Sequence, residues 1–168
     1  MQSEDGSLSL RYPREWTDMP QESVGTEWIT GVDGSPQPSE TNLLELTGPD
    51  PIVIASVYQL DQEARDTTTL DALRRLALPD GRDPTTIDDG SVEVVFNNNF
   101  VDENGFEGHH LRFRIDLGDG EVSTAETLAV FDSERTRVQQ VRVVCSSLCF
   151  ADNSDVIDEI FDSVRLTP

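Results

Sequence analysis

Four successive segments alternate apolar and polar residues, and this run most limits what the chain can fold into. Residues 91–145 contain the segments VEVVFNN, HLRFRIDL, VSTAETLAVF and RVQQVRVVC. A period of two is typical of strands that bury one face. The short turn sequences DENG, with its Asn104-Gly105 step, GDG and DSER separate the segments. Because such short turns join antiparallel neighbours, the pattern predicts an antiparallel meander.

Further strands are predicted before this meander. Residues 7–12 alternate and are followed by Pro13, which ends the strand. Residues 27–32 and 43–47 are short strand candidates, joined by a loop rich in proline, glycine and serine. Residues 52–58, IVIASVY, are apolar on both faces. This last pattern is typical of a central strand that is covered on both sides.

Two helices complete the prediction. Residues 68–78 carry a helical apolar stripe, with Thr68 as a candidate cap, Asp71 three residues later and Pro79 as the stop. Residues 154–164 place one apolar face on a helix, formed by Val156, Ile157, Ile160, Phe161 and Val164. Strands that pair mostly with sequential neighbours, together with two helices, predict the α+β class with an antiparallel sheet.

The length and charge of the chain restrict its functions. A chain of 168 residues suffices for one domain with a real core, so we predict a single domain over residues 1–168. Acidic residues outnumber basic ones 33 to 12, which gives a formal charge of −21. This charge repels polyphosphate and anionic membranes, so nucleic-acid binding is not expected. No segment approaches the ~18 consecutive apolar residues that a transmembrane helix requires.

The first residues suggest a compartment. The sequence MQSEDGSLSL has neither the basic nor the apolar region of a signal peptide. A polar, acidic hexapeptide after Met1 is what an exported protein would show once its leader was replaced by a start codon. We therefore expect an extracytoplasmic protein, either secreted or lipid-anchored to the cell envelope.

The only cysteines, Cys145 and Cys149, lie four positions apart in VCSSLCF. A thioredoxin-type redox pair has two intervening residues and lies at a helix start, whereas the predicted helix begins several residues later. A structural zinc would require two more ligands. A disulfide and two buried thiols remain, and the disulfide is favoured. It requires SSL to curl, because extended residues four apart lie about 13 Å apart, beyond the ~4.4–6.8 Å of a bridge.

The two histidines are adjacent and are predicted to point in opposite directions. On an alternating strand His109 shares a face with Leu111 and Phe113, and His110 shares the other face with Arg112. They cannot both join one tetrahedral metal site without a bulge. No Gly-x-Ser-x-Gly motif accompanies them, and GDGEVS lacks the third glycine of a dinucleotide fingerprint. The sequence therefore predicts no catalytic residues and no cofactor.

The acidic residues predict one structural feature. Clusters such as residues 102–104 lack the ligand spacing of an EF-hand loop, so no metal site is predicted. Glu126 shares a strand face with Leu128, which predicts a half-buried carboxylate. We expect Arg114 or Arg142 on a neighbouring strand to pair with it.

The order of elements resembles a known fold family. A strand that ends in a tyrosine-proline-to-tryptophan step (Tyr12, Pro13, Trp16) is followed by a helix, a meander and a helix reading EIFDSVRL, with Ser163 and Arg165. These features resemble the PsbP-like or Mog-type fold family. The resemblance implies an antiparallel sheet sandwiched between helices, and many actinobacterial members resemble small exported lipoproteins. It implies no shared catalytic residues.

These observations lead to one expected function and one alternative. We expect a non-catalytic binding or assembly module with an unknown protein or cell-envelope partner. Trp16, Trp28 and Phe150 are the candidate binding surface, since large aromatic side chains commonly line exposed apolar grooves. The alternative is a hydrolase that uses His109 or His110 with nearby carboxylates. A cleft in which these groups converge would favour the alternative.

Overall fold

The predicted meander is present as four long strands. The computed structural model describes residues 1–19, 22–24, 27–34 and 49–167. Its strands are β1 (Leu8–Ser9), β2 (Thr17–Asp18), β3 (Glu22–Val24), β4 (Glu27–Asp33), β5 (Ile52–Gln59), β6 (Val92–Val101), β7 (Glu107–Gly118), β8 (Glu121–Phe131), β9 (Arg137–Ser146) and β10 (Arg165–Leu166). Strands β6 to β9 follow one another through tight turns. The sequence prediction of a meander is therefore confirmed.

The main sheet has the order β2-β4-β5-β9-β8-β7-β6, and β3 also pairs with β4. All of its described pairs are antiparallel. The last meander strand, β9, lies between β8 and β5, so the N-terminal strands extend the sheet on that side. Strand β5 is central and buried on both faces, as its continuous apolar sequence predicts.

The three strand predictions at residues 7–12, 27–32 and 43–47 have different outcomes. Of residues 7–12 only β1 is a strand, and it pairs with β10 in a separate two-stranded sheet. Strand β4 confirms the prediction at residues 27–32. The candidate strand at residues 43–47 lies outside the described residues.

The predicted helix at residues 68–78 is wrong in its start and its continuity. Residues 62–77 instead form α1 (Gln62–Thr67), α2 (Leu70–Leu73) and a 3₁₀ helix (Arg74–Ala77). Thr68 is not the N-cap of the following helix. Its N–H donates to the Ala64 carbonyl, so it is the C-cap of α1. The side chain of Thr69 accepts from the Ala72 N–H instead. A further 3₁₀ helix covers Pro84–Thr86.

Two helices follow the meander, where the sequence predicted one. A short helix, α3 (Ser147–Asp152), begins directly after β9. The predicted C-terminal helix is α4 (Ser154–Asp162), which buries Ile157 and Ile160 against the sheet. In the described part of the chain, no helix is long and apolar enough to cross a membrane.

The sheet separates two layers of helices. On one face, which we call the α4 face, apolar residues of β5 and β9 pack against α3, α4 and the N-terminal segment. On the other face, the 3₁₀ face, the chain from α2 to Ala77 packs on β7, β8 and β9. Because successive strand residues alternate between these faces, the registers determine which polar side chains meet.

Candidate functional site

The most buried carboxylate among the described residues of the sheet lies in a group of charged and aromatic side chains on the α4 face. Glu126 of β8 is 2 % exposed, and its Cα partner on β7 is Arg112. The Arg112 Nε donates to Glu126 Oε2 over 2.6 Å. His110, two residues earlier on β7, places its Nε2 2.6 Å from Glu126 Oε1. One carboxylate therefore holds two neighbouring side chains through separate oxygens.

Three further elements, β6, α3 and α4, surround Glu126 and its two partners. Asp158 of α4 accepts a second bond from Arg112 over 2.9 Å. Aromatic rings flank both side chains that bind Glu126: the Arg112 guanidinium lies 5.3 Å from the Phe96 ring and 5.1 Å from the Phe150 ring. The ring of His110 lies 5.0 Å from that of Phe96 and 5.1 Å from that of Phe161. We call these residues the Glu126 cluster: Phe96, His110, Arg112, Glu126, Phe150, Asp158 and Phe161.

The predicted pairing of Glu126 with Arg114 or Arg142 is wrong, because of the strand register in one case and the sheet face in the other. Arg114 lies opposite Thr124 and binds Glu93 over 3.1 Å. Arg142 lies opposite Thr127, one residue away from the Glu126 position, and therefore points to the 3₁₀ face. The sequence predicted that the partner of Glu126 lies on a neighbouring strand. Which arginine pairs with it depends on the strand register, and alternation does not determine the register.

His109 lies on the other face, as its parity predicts. It is 5 % exposed, and its Nε2 lies 3.3 Å from Nη1 of Arg74. Arg74 also binds Asp83 and Asp71, each over 2.9 Å. The two histidines therefore belong to separate networks on opposite faces of one strand.

The electrostatics of this second network favour a neutral ring. Burial and the neighbouring Arg74 charge both lower the pKa of His109 below its usual value. Burial alone would raise the pKa of Asp83, but hydrogen bonds from Thr85 and the nearby Arg74 outweigh it and lower the pKa. A neutral His109 with its Nε2 accepting from Arg74 is consistent with both shifts.

The contacts of His110 differ from those of a catalytic histidine. A hydrolytic histidine is oriented by a carboxylate and bonds to a hydroxyl or thiol nucleophile. Glu126 provides the carboxylate, and it is shared with Arg112. Phe96 and Phe161 flank the ring of His110, and its described contacts include no nucleophile. The arrangement fits a rigid structural network on this face of the sheet.

The cysteines are joined at the corner between β9 and the helices. Cys145 and Cys149 form a disulfide with their Cα atoms 6.0 Å apart. The SSL segment curls as the first turn of α3, and the Ser146 side chain caps it by accepting from the Cys149 N–H. The predicted C-terminal helix begins only at Ser154, so α3 is a helix that was not predicted.

Removal of this disulfide has a modest expected cost. The double variant Cys145→Ser/Cys149→Ser should lower the free energy of unfolding by about 2 kcal/mol, because the bridge closes a loop of only five residues. Urea unfolding of both proteins measures the difference. Wild type with its disulfide reduced is the control and should match the variant, while an unchanged midpoint in both would contradict the prediction.

The disulfide loop also exposes an apolar side chain. Leu148, between the two cysteines, is 81 % exposed. The Ser147 hydroxyl beside it lies 2.7 Å from that of Thr124 on β8, which attaches the loop to the sheet. Val122, two residues before Thr124, is also exposed. The bridge and this hydrogen bond together hold Leu148 outward at the end of the sheet.

The three aromatic residues predicted as a binding surface lie in different environments. Phe150 is buried beneath Arg112, so it contributes to the core and not to an exposed surface. Trp16 is partly buried against the same apolar cluster. Trp28 is in β4 opposite Val57, and its side chain lies outside the described part of the structure. An open cleft of about 550 Å³ lies near Trp16 in the chain, lined by Arg11, Tyr12, Pro13, Glu15, Val156, Glu159, Ile160 and Asp162.

A buried carboxylate that was not predicted, Asp132, closes the turn between β8 and β9. Asp132 is 3 % exposed and accepts hydrogen bonds from both the N–H and the hydroxyl of Thr136. It also accepts from the N–H and Nε of Arg137. Arg137 in turn reaches Asp5 over 3.1 Å and so attaches the N-terminal segment. The sequence offered one signal for this role, since aspartate side chains commonly bond to the backbone of turns and Asp132 is the first residue of DSER.

Asp132 should make the protein sensitive to acid. Burial would raise its pKa, but the bonds from Thr136 and Arg137 outweigh it and lower the pKa. A lowered folded-state pKa stabilises the protein above the unfolded value near 4, and that stability is lost as the pH falls through the folded pKa. Unfolding free energies measured from pH 5 to 2 should therefore fall, and less steeply in Asp132→Asn. Asp152→Asn, at an exposed site, should keep the wild-type slope; equal slopes in all three proteins would contradict the prediction.

Solved structures with the same architecture come from several kinds of organism. LpqN, involved in cell envelope biogenesis of Mycobacterium tuberculosis, is similar over 96 % of this chain and 83 % of its own, with a TM-score of 0.56 and 15 % identity. Cyanobacterial PsbP from Synechocystis matches 99 % of this chain and 91 % of its own, with a TM-score of 0.58 and 13 % identity. The yeast Ran-binding protein Mog1p matches 99 % and 93 %, with a TM-score of 0.51 and 9 % identity. No family model and no curated protein matches the sequence.

These similarities define the class of fold. The chain is an α+β protein with the PsbP/Mog1-like fold, which confirms the resemblance seen in the sequence. At sequence identities of 15 % or less, these similarities establish the fold of the chain and not an activity shared with any of these proteins.

Proposed function

We propose that this protein is a non-catalytic binding or assembly domain that works outside the cytoplasm, with a protein or cell-envelope component as its partner. The observation that carries the proposal is the disulfide between Cys145 and Cys149, which keeps an apolar side chain exposed. Disulfides persist in oxidising compartments and are rare in the cytosol.

The exposed surface supports a binding role. Leu148 is the most exposed of the large apolar residues that the structure describes at the surface. Acidic residues follow it on α3 and α4, including Asp152 and Asp155. An apolar anchor beside acidic groups complements a partner that offers an apolar pocket with a basic rim. Trp16, which is partly buried and follows the cleft residue Glu15 in the sequence, is the second position that we propose for the partner.

The similar structures point in the same direction. The mycobacterial LpqN is involved in cell envelope biogenesis, and yeast Mog1p binds Ran. The internal networks of His109 and His110 support a non-catalytic role, since both rings are already engaged with Arg74 and Glu126.

The compartment and the thiol state test the proposal together. Cells of the source organism are fractionated in the presence of a thiol-blocking reagent, and the protein is detected by antibody. We expect it outside the cytoplasm with both cysteines resistant to the reagent. A cytoplasmic protein with two free thiols would overturn the proposal.

The non-catalytic part has its own test. Purified protein is incubated with a panel of chromogenic esters, amides and phosphoesters, beside His110→Gln and His109→Gln variants. We expect no turnover above the variants. Sustained hydrolysis that either substitution abolishes would overturn the non-catalytic assignment.

A further inference from the structure

One edge of the main sheet is long and open. Strand β6 has ten residues, lies at the end of the strand order and pairs with β7 alone among the described strands. At the opposite end, β2 and β3 have two and three residues. An open edge of this length presents a row of unpaired N–H and C=O groups to another chain.

The side chains of β6 do little to protect this edge. Natural edge strands usually carry charged residues or proline that oppose pairing with another chain. In VEVVFNNNFV the single charged residue is Glu93, which pairs with Arg114 of the neighbouring strand. Val94, Val95 and Val101 are exposed. The edge is therefore close to neutral in a chain whose formal charge is −21.

The hydrogen-bond pattern shows which backbone groups are free. The Asp102 N–H donates to Phe106 at the hairpin that joins β6 to β7. In an antiparallel ladder every second residue points to the same neighbour, so Phe100 and Asn98 also bond towards β7. Asn97 and Asn99 consequently point their N–H and C=O groups away from the sheet. The sequence NNN thus lies at the centre of the open edge.

The edge is nearly symmetric about Asn98. Counted outwards from this residue, Asn97 matches Asn99, Phe96 matches Phe100 and Val95 matches Val101. The register of β6 shifts between Val94 and Phe96, so Val95 lies at a bulge. In an antiparallel pair of identical strands centred on Asn98, each residue from Phe96 to Phe100 would therefore meet its own type. Asn97 and Asn99 would exchange backbone hydrogen bonds, and Phe96 would lie opposite the partner's Phe100.

We propose that two copies of this chain associate through antiparallel pairing of their β6 strands about Asn98, forming a continuous sheet across a two-fold axis. The occupant of the edge is a second copy because only an identical strand reproduces this symmetry. The interface needs no binding partner and is independent of the proposed function. The net charge opposes the association, so the dimer tightens as salt screens the repulsion.

Charge variants with equal net charge provide the first test. Analytical ultracentrifugation of wild type should show a dimer that strengthens from low salt to about 1 M, where the Debye length falls to ~3 Å. Asn98→Lys places two like charges opposite each other and should weaken the dimer at least about tenfold. Gln62→Lys, on exposed α1, changes the net charge equally and should dimerise as wild type. A monomer at every salt concentration, or equal dimerisation of both variants, would overturn the proposal.

Cross-linking tests the register without relying on the first variant. In the proposed pairing Asn98 faces its own copy at a non-hydrogen-bonded position, with Cβ atoms about 4.5–5.5 Å apart. Asn98→Cys should therefore form an intermolecular disulfide on mild oxidation, and Gln62→Cys should not. If Asn98→Cys stays monomeric, or if both variants cross-link equally, the pairing about Asn98 is wrong.

Discussion

Glu126→Ala is expected to lower the free energy of unfolding by about 3–5 kcal/mol, a large part of the total stability of a domain this size. Glu126 is 2 % exposed and holds both Arg112 and His110. Its removal leaves the guanidinium between Phe96 and Phe150 with the exposed Asp158 as its one charged partner among the described residues. Urea denaturation at neutral pH, followed by circular dichroism, measures the change.

Two further variants separate the buried charge from the exposed one. Asp158, the second partner of Arg112, has a side chain that is 62 % exposed. Asp158→Asn should therefore lower the free energy of unfolding by less than about 1 kcal/mol. Glu126→Met combined with Arg112→Met replaces the pair with apolar side chains and should recover most of the loss. A Glu126→Ala protein as stable as Asp158→Asn would show that the cluster contributes little to stability.

Gly108→Ala is expected to destabilise the protein by about 3 kcal/mol, the upper end of the usual cost of overpacking. Gly108 lies within β7, between Phe100 of β6 and Val130 of β8. A Cβ at this position would lie 2.7 Å from the Cα of Val130 and would overlap the Ala129 carbonyl oxygen. Because both obstacles are backbone atoms of a central strand, no side-chain rotation relieves the overlap.

The control separates steric overlap from backbone strain. Gly81→Ala lies at a φ of +72°, and nothing lies within 4 Å of the added Cβ. It should therefore cost only the strain of a left-handed residue, about 1–2 kcal/mol. Thermal unfolding of both variants compares the two effects. Equal losses would show that β7 moves away from β8 easily, contrary to the close approach in the structure.

Periodicity alone predicted much of this fold. Alternating residues between 91 and 145 predicted the meander, since a half-buried strand must separate polar from apolar side chains at every step. The same argument placed His109 and His110 on opposite faces, which the structure confirms. The apolar face of α4 was predictable because Ile157 and Ile160 repeat at helical spacing.

Local sequence was a weaker guide where several signals compete. Residues 62–77 fold into three short helical pieces, because Asp61 and Thr69 each cap a separate helix. A single apolar stripe over this region does not reveal the break. Likewise SSL between the cysteines has no strong helical signal, and α3 forms where the disulfide and the Ser146 cap hold one turn.

The sequence by itself determined the class of fold, the strands of the meander and the faces on which its side chains lie, because these depend on residue spacing along one chain. The tertiary structure decided which residues meet. The register of β7 on β8 pairs Glu126 with Arg112, although Arg114 has the same parity. The placement of β9 between β5 and β8 directs Arg142 to the other face. Such pairings depend on contacts between distant segments, and no local pattern encodes them.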